Sequence, residues 1–236
     1  MEIVKLPPRL AAIANMVPEG TRLADVGTDH GLIPIRLLQE GRIRSAIASD
    51  IRPGPLSRAK ANAAQQGVEG ICFVLCDGLR EIAPDSADTI VIAGMGGETI
   101  AAILASAPWT REGKSLLLQP MSRPEALRAA FEGLEMRIEE EKLVRDAGKL
   151  YSILRVRGGM PLRLSEAELY TGAYALISGQ ELFPEHLRQW KSKTSAALQG
   201  LARSSKPEDA ARRERLRRVW EQLGKMSEQE VALCQE

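Results

Sequence analysis

Cysteine is scarce in this chain: three in 236 residues, at Cys72, Cys76 and Cys234. An odd, sparse set excludes a disulfide framework and reads as reduced thiols in a reducing compartment. Cys72 and Cys76 have no nearby partner ligands at zinc-type spacing, so no metal is expected and the pair reads as core or strand-flank thiols. Aromatic residues make up only 4%, and Trp109 and Trp190 are expected to pack rather than stack on bases. No apolar run approaches the about 18 residues of a membrane span. The first ten residues show no charged stretch leading into an apolar one, so no leader is expected. These absences together predict a cytoplasmic protein. The net charge is +1, which excludes a globally basic nucleic-acid binder and leaves only local patches for any polyanion. No internal repeat or low-complexity tract is present.

What remains is a chain of ordinary globular composition, 44% hydrophobic and 27% charged. It is long enough for one full domain with an appendage, or for two small domains. Leu6 to Val17 reads as a short helix that tolerates prolines in its first turn and stops at Pro18. Short apolar runs then alternate with helical patterns. Strands are expected over Arg22–Gly27, Ser45–Asp50, Ile71–Asp77, Asp88–Gly94 and Ser115–Pro120. Between and after them come helices at about Leu32–Gln39, Gly54–Gln66, Glu98–Ala107 and Pro124–Phe131. Strands apolar throughout, alternating with helices, imply a parallel sheet covered on both faces.

After residue 135 the rhythm changes. Met136–Arg145 and Lys149–Arg157, joined at Asp146-Ala147-Gly148, have the signature of a hairpin. Gly158-Gly159-Met160-Pro161 reads as a boundary, so the expected domains are 1–159 and 160–236. Beyond it the chain is strand-free. Leu182–Leu201 and Glu208–Met226 are expected to pair as an antiparallel helical hairpin across a break at Ser204-Ser205-Lys206-Pro207. The fold class is therefore α/β: a Rossmann-like sheet, parallel with an antiparallel terminal hairpin, plus a small helical, coiled-coil-like domain.

The chemistry sits at the carboxyl ends of the strands. Asp25-Val26-Gly27-Thr28-Asp29-His30-Gly31 lies where the first strand meets its helix, where glycine lets the backbone approach a ligand. A dinucleotide site would need G-x-G-x-x-G to hold a pyrophosphate. Asp29 stands at the central position and repels that anion. An acid there suits S-adenosyl-L-methionine, whose methionine end carries an ammonium and a sulfonium beside its carboxylate. Asp50 ends the second strand, next to Ile51, and an acid there can accept from both ribose hydroxyls. Asp77, before Gly78, ends the third and can accept from an adenine amino group. Each acid alone could equally start a turn. Three on one sheet edge converge on the crevice where ligands bind.

Ala93-Gly94-Met95-Gly96-Gly97-Glu98 follows the fourth strand, and its glycines are expected to let the backbone approach a flat acceptor base; a flexible turn is the alternative. His30 could touch substrate or cap the next helix. Polyanion contacts are expected around Arg9, Arg36 and Arg52. The Arg212–Arg218 stretch reads as a solvated face beside Glu208, Asp209 and Glu214, with phosphate contact the alternative.

Together these motifs resemble the bacterial tRNA (adenine-22-N1)-methyltransferases. The resemblance runs over residues 6 to 157. It is carried by Leu10 onward in the first helix, Asp25-Val26-Gly27-Thr28-Asp29-His30, Ser49-Asp50 with Gly54-Pro55-Leu56, and Asp77-Gly78-Leu79. Ile92-Ala93-Gly94-Met95-Gly96-Gly97, Leu118-Gln119-Pro120 and Gly148-Lys149-Leu150-Tyr151 complete it. Met121 departs from the asparagine expected there, and Asp146-Ala147 from the usual acidic turn. The resemblance implies methyl transfer from S-adenosyl-L-methionine to N1 of an adenine in tRNA; separately, no metal and a monomer or weak dimer are expected. Carried over by position, Asp25, Gly27, Asp50 and Asp77 resemble the family's cofactor residues, and Gly94 to Gly97 would shape the acceptor pocket. Thr28, His30, Ile51, Gly78, Ala93 and Gly94, beside them at the strand ends, are expected to join the cofactor contacts. Asp29, Gly94, Met95 and Gly96 would act at the acceptor, Asp29 by steadying developing positive charge. An NAD-dependent oxidoreductase is disfavoured by Asp29 and the terminal hairpin. A non-catalytic RNA-binding module is disfavoured by the complete set of cofactor-like residues.

Overall fold

The computed structural model of the protein describes residues 3–202 and 206–233. The break expected at Ser204-Ser205 and the third cysteine, Cys234, lie outside the described residues. The chain divides into two compact units, Met1–Leu162 and Arg163–Glu236.

The first unit begins with α1 (Pro8–Met16), β1 (Thr21–Val26), α2 (Leu32–Gln39), β2 (Ile43–Asp50), α3 (Pro53–Gln65) and β3 (Ile71–Leu75). It continues with β4 (Thr89–Gly96), α4 (Gly97–Ser106), β5 (Ser115–Ser122), α5 (Pro124–Leu134), β6 (Met136–Asp146) and β7 (Lys149–Gly158). The sequence signals act where expected. Proline opens α1, α3 and α5 in the first turn, where its missing N–H costs nothing. Gly31 takes a left-handed φ of 66° just before α2.

One sheet of seven strands runs in the order β3-β2-β1-β4-β5-β7-β6. The first five pair in parallel, while β7 joins β5 and β6 joins β7 antiparallel. The order reverses between β1 and β4, and such a switch point opens a crevice at the carboxyl ends of the strands. Under α1 and α2 the sheet buries Leu23, Val91, Leu117 and Ile153 against Ile13, Ile33 and Leu37. Full burial of each such side chain contributes about 1.5–3 kcal/mol.

The terminal hairpin holds one surprise. The β6–β7 register shifts between Ile138 and Glu140. Up to the shift, Met136 and Ile138 point inward; beyond it, Glu141 and Leu143 do, because a one-residue slip exchanges the two faces. Glu141 is thereby buried, and it meets Arg128 of α5 through Nε at 3.1 Å and Nη2 at 3.0 Å, both side chains fully enclosed. The hairpin turns through Ala147 (φ 46°) and Gly148 (φ 75°), the two positive values that a two-residue turn of matching twist requires.

The second unit is helical: α6 (Glu166–Thr171), α7 (Tyr174–Ile177), α8 (Phe183–Leu201) and α9 (Pro207–Leu233). Arg213 reaches the Leu201 carbonyl, and the Lys191 ammonium lies 5.9 Å from the Trp220 ring. These two pairs advance in opposite directions along the chain, so α8 and α9 are antiparallel. The two short helices were not expected. The first carries a capping box: Ser165 accepts from the Glu168 N–H, and the Glu168 carboxylate accepts from that of Ser165.

Candidate active site

The carboxyl ends of β1 to β4 open onto one cavity of about 630 Å³. All ten residues expected to bind cofactor line it: Asp25, Gly27, Thr28, His30, Asp50, Ile51, Asp77, Gly78, Ala93 and Gly94. Of those expected at the acceptor, Asp29, Gly94 and Met95 line it and Gly96 does not. Gly27 has φ +76° and Gly94 φ +79°, backbone that favours glycine. A side chain at Gly27 would collide with the tip of Met95.

Asp25 is the electrostatic centre of this cavity. It is buried at the end of β1, and desolvation raises its pKa to about 6. The Thr28 hydroxyl opposes that shift from close by, yet it makes no hydrogen bond of sound geometry. Among the described residues no cation pairs with Asp25. The protein thus holds an acid in a costly place and leaves its countercharge to a ligand. An ammonium or sulfonium group fits that demand, whereas a pyrophosphate would raise the cost. Thr28 and Gly27 both donate backbone N–H groups to the Ser49 carbonyl, at 2.9 and 2.8 Å, which ties this turn to β2.

Asp50 is also buried, and its Oδ1 accepts from the Arg52 N–H at 2.8 Å. It therefore starts the turn into α3 while facing the cavity. Asp77 is more open, 3.1 Å from Arg80. A side chain at Gly78 would press on Ile103, one turn after Thr99 on α4; both of these line the cavity, and neither was singled out from sequence. Their four-residue spacing on a helix that starts at the glycine box was the available signal. Cys76 is buried; its thiol donates to the Gly78 carbonyl and accepts from the Glu81 N–H, which makes it a turn residue.

Asp29 stands at the rim. Arg58 Nη2 donates to it at 2.6 Å and holds its pKa below the usual carboxylate value, and His30 Nε2 lies 3.4 Å away. Its charge is thus already shared with Arg58.

The three glycines of the box separate: Gly94 and Gly96 lie in the last residues of β4, which runs on past the expected end at Gly94, and Gly97 opens α4. Only Gly94 meets the cavity. Gly96 has φ −69°, so the positive φ that would have made it intolerant is not there. A side chain at Gly97 would collide with the Arg123 carbonyl, so that glycine serves the packing of α4 against the start of α5. The arginines also sort. Arg9 donates to Gln119 Oε1 at 2.6 Å, and Arg36 to Glu40 at 2.6 Å and to the Val4 carbonyl. Arg52 has a side chain 75% exposed. In the second unit Arg217 pairs with Glu214, as expected of a solvated face, and Arg218 with Glu166. Among the described residues no cluster of three or more ligand side chains could hold a metal, and no helix is long and apolar enough to cross a membrane.

Comparison with known proteins bears on the same residues. The methyltransferase domain family matches residues 6–154. A tRNA (adenine(22)-N(1))-methyltransferase of Bacillus subtilis is 34% identical over 161 residues, 67% of this chain and 68% of that protein. The crystal structure of the B. subtilis m1A22 tRNA methyltransferase superposes with a TM-score of 0.84 at 26% identity, over 95% of this chain and 99% of that one. A Streptococcus pneumoniae protein, described as a tRNA (m1A22) methyltransferase and solved with S-adenosyl-L-methionine, gives 0.80 at 31% identity, over 93% and 98%. The kinship covers the strand ends that build the cavity as well as the sheet that carries them, and the chain belongs to the bacterial tRNA (adenine-22-N1)-methyltransferase family.

Proposed function

We propose that this protein transfers a methyl group from S-adenosyl-L-methionine to N1 of an adenine in tRNA, at position 22, in the cytoplasm. The observation that carries the reading is Asp25: a buried acid, costly to ionise, facing a cavity in which no described cation pairs with it. The relatives' activity and the cofactor bound to the S. pneumoniae protein support it. Residues 1–159 are assigned to cofactor and catalysis, and 160–236 to helping hold tRNA.

Bound there, S-adenosyl-L-methionine supplies an electrophilic methyl group on sulfur. Asp25 would face its ammonium, Asp50 its ribose hydroxyls and Asp77 its adenine. The loop at Gly94 and Met95 lays the target base against the open end of the cavity. Adenine N1 is unprotonated at neutral pH and attacks with its own lone pair, so no side chain need act as a base. The residues contribute by positioning and by excluding water. Asp29 adds negative charge at the rim as the ring becomes cationic.

Titration calorimetry with S-adenosyl-L-methionine and NAD side by side tests the cofactor. Binding of the first alone is expected, and Asp50→Ala should weaken it by about 1.5–3 kcal/mol through loss of charge-assisted hydrogen bonds. Micromolar NAD binding with no response to S-adenosyl-L-methionine would overturn the reading.

A further inference from the structure

Gln119 lies on β5, two strands from the nearest of the cofactor acids, and is fully buried. A buried amide must place both of its ends, and this one does. Its Oε1 accepts from Arg9 Nη1 at 2.6 Å and from the Gly94 N–H at 3.2 Å. Its Nε2 donates to the Pro120 carbonyl at 2.9 Å and lies 3.6 Å from Met121 Sδ. Two donors on one side and a carbonyl on the other leave the amide a single orientation. Turned over, its NH2 would face both donors.

The place where this happens matters. The β4–β5 ladder pairs Ala93 with Gln119 and then Met95 with Pro120, with a register shift between them. Gly94 is skipped, and Pro120 brings no N–H to the ladder. The Gln119 side chain does there what the ladder does elsewhere, fixing the one backbone position of the glycine box that lines the cavity. Arg9 holds the same Gln119 oxygen that Gly94 uses. It comes from α1, lies 5.7 Å from the centre of the Tyr151 ring and has Nε 3.8 Å from Asp146 Oδ2. That is a restrained side chain and not a free cation awaiting a phosphate.

We propose that Gln119 is the positioning residue for the acceptor loop, with Arg9 as the clamp that sets its amide. The proposal rests on the methyltransferase reading above. Arg9 lines the edge of the cavity, and Gln119 lies behind Gly94 outside its lining. The pair acts by holding Gly94 where the target base is laid.

Two variants separate the contributions. Gln119→Leu removes the acceptor, and Arg9→Met loosens the clamp from the rim without disturbing the buried position. Both should lower kcat for tRNA methylation by about tenfold or more, because a misplaced acceptor costs rate and not affinity. The KM for tRNA and the affinity for S-adenosyl-L-methionine should stay within about threefold. Gln119→Glu keeps an oxygen for both donors but, unless protonated, sets its second oxygen against the Pro120 carbonyl, so it should recover only part of the rate lost in Gln119→Leu. Amide exchange on the ligand-free protein gives an independent readout: the Gly94 N–H should exchange faster in both variants, with the β1 amides unchanged. A raised KM at unchanged kcat in Arg9→Met would make Arg9 a phosphate contact and overturn the proposal. So would full activity in Gln119→Leu, or unchanged Gly94 exchange. Wild-type protein that binds no S-adenosyl-L-methionine and methylates no tRNA would overturn the functional reading and this proposal with it; an active wild type with indifferent variants would overturn this proposal alone.

Discussion

Asp25 gives the cofactor site a pH dependence whose size and sign follow from burial. Its pKa rises from the ordinary 3.8 to about 6. At about 1.4 kcal/mol per unit, carrying its charge in the empty site rather than in water costs on the order of 3 kcal/mol. A bound cation offsets that cost, so only the ionised form should hold the cofactor well. The apparent Kd should then be flat above about pH 7 and rise about tenfold per unit below 6, reaching about elevenfold at pH 5. Stability of the ligand-free protein should move the other way. The folded state keeps a proton that the unfolded chain releases, so Asp25 destabilises the fold above its folded pKa. That penalty is relieved as pH falls from about 6 toward 4. Calorimetric affinities and ligand-free melting temperatures over the same range make the test. His30, Asp50 and Asp77 line the same cavity, and Asp25→Asn isolates the contribution of Asp25. It should bind weakly at every pH, with the acid limb gone. An affinity unchanged between about pH 5 and 8 in the wild type, or an acid limb intact in Asp25→Asn, would refute the reasoning.

Two further outcomes concern packing. Glu141→Leu strands the buried Arg128 guanidinium and should cost about 3–5 kcal/mol by chemical denaturation, whereas Arg128→Met combined with Glu141→Leu should recover most of that loss. Gly96→Ala should fold and methylate within a few-fold of wild type, since its φ is ordinary and its nearest neighbour, Ser122 Oγ, stands 3.3 Å from the new methyl. Gly97→Ala meets the Arg123 carbonyl and should melt at a clearly lower temperature; equal stability of the two glycine variants would contradict the packing described.

The sheet was legible because its evidence is local: apolar runs, prolines in first helical turns and glycines at ends recur in step. The three strand-end acids were legible for a related reason, since parallel topology brings every carboxyl end to the same edge. The three glycines of the Ala93–Glu98 box were not separable. In sequence they are identical, and only the approach of Arg123 and the register shift assign them different work. Glu141 was hidden by the bulge, because strict alternation from Ile138 would turn Glu140 inward instead. The tie from Arg9 to Gln119 joins residues 110 positions apart, and no periodicity encodes it. The capping box at Ser165 was a plain local signal, and reading it would have announced α6.

The bulge that buries Glu141 also governs how the molecule meets its own kind. β6 is an edge strand eleven residues long, and an edge of that length is a template for strand exchange between molecules. The irregularity leaves Glu139 and Glu140 both exposed at its middle, with Arg137 and Lys142 on either side. A second copy approaching edge-on would have to desolvate these charges and match a kinked register at once. The opposite edge needs less protection, since β3 is only five residues long. In a crowded cell this guards against aggregation at little cost, because the residues that repel a neighbour are those that the kink had already turned outward.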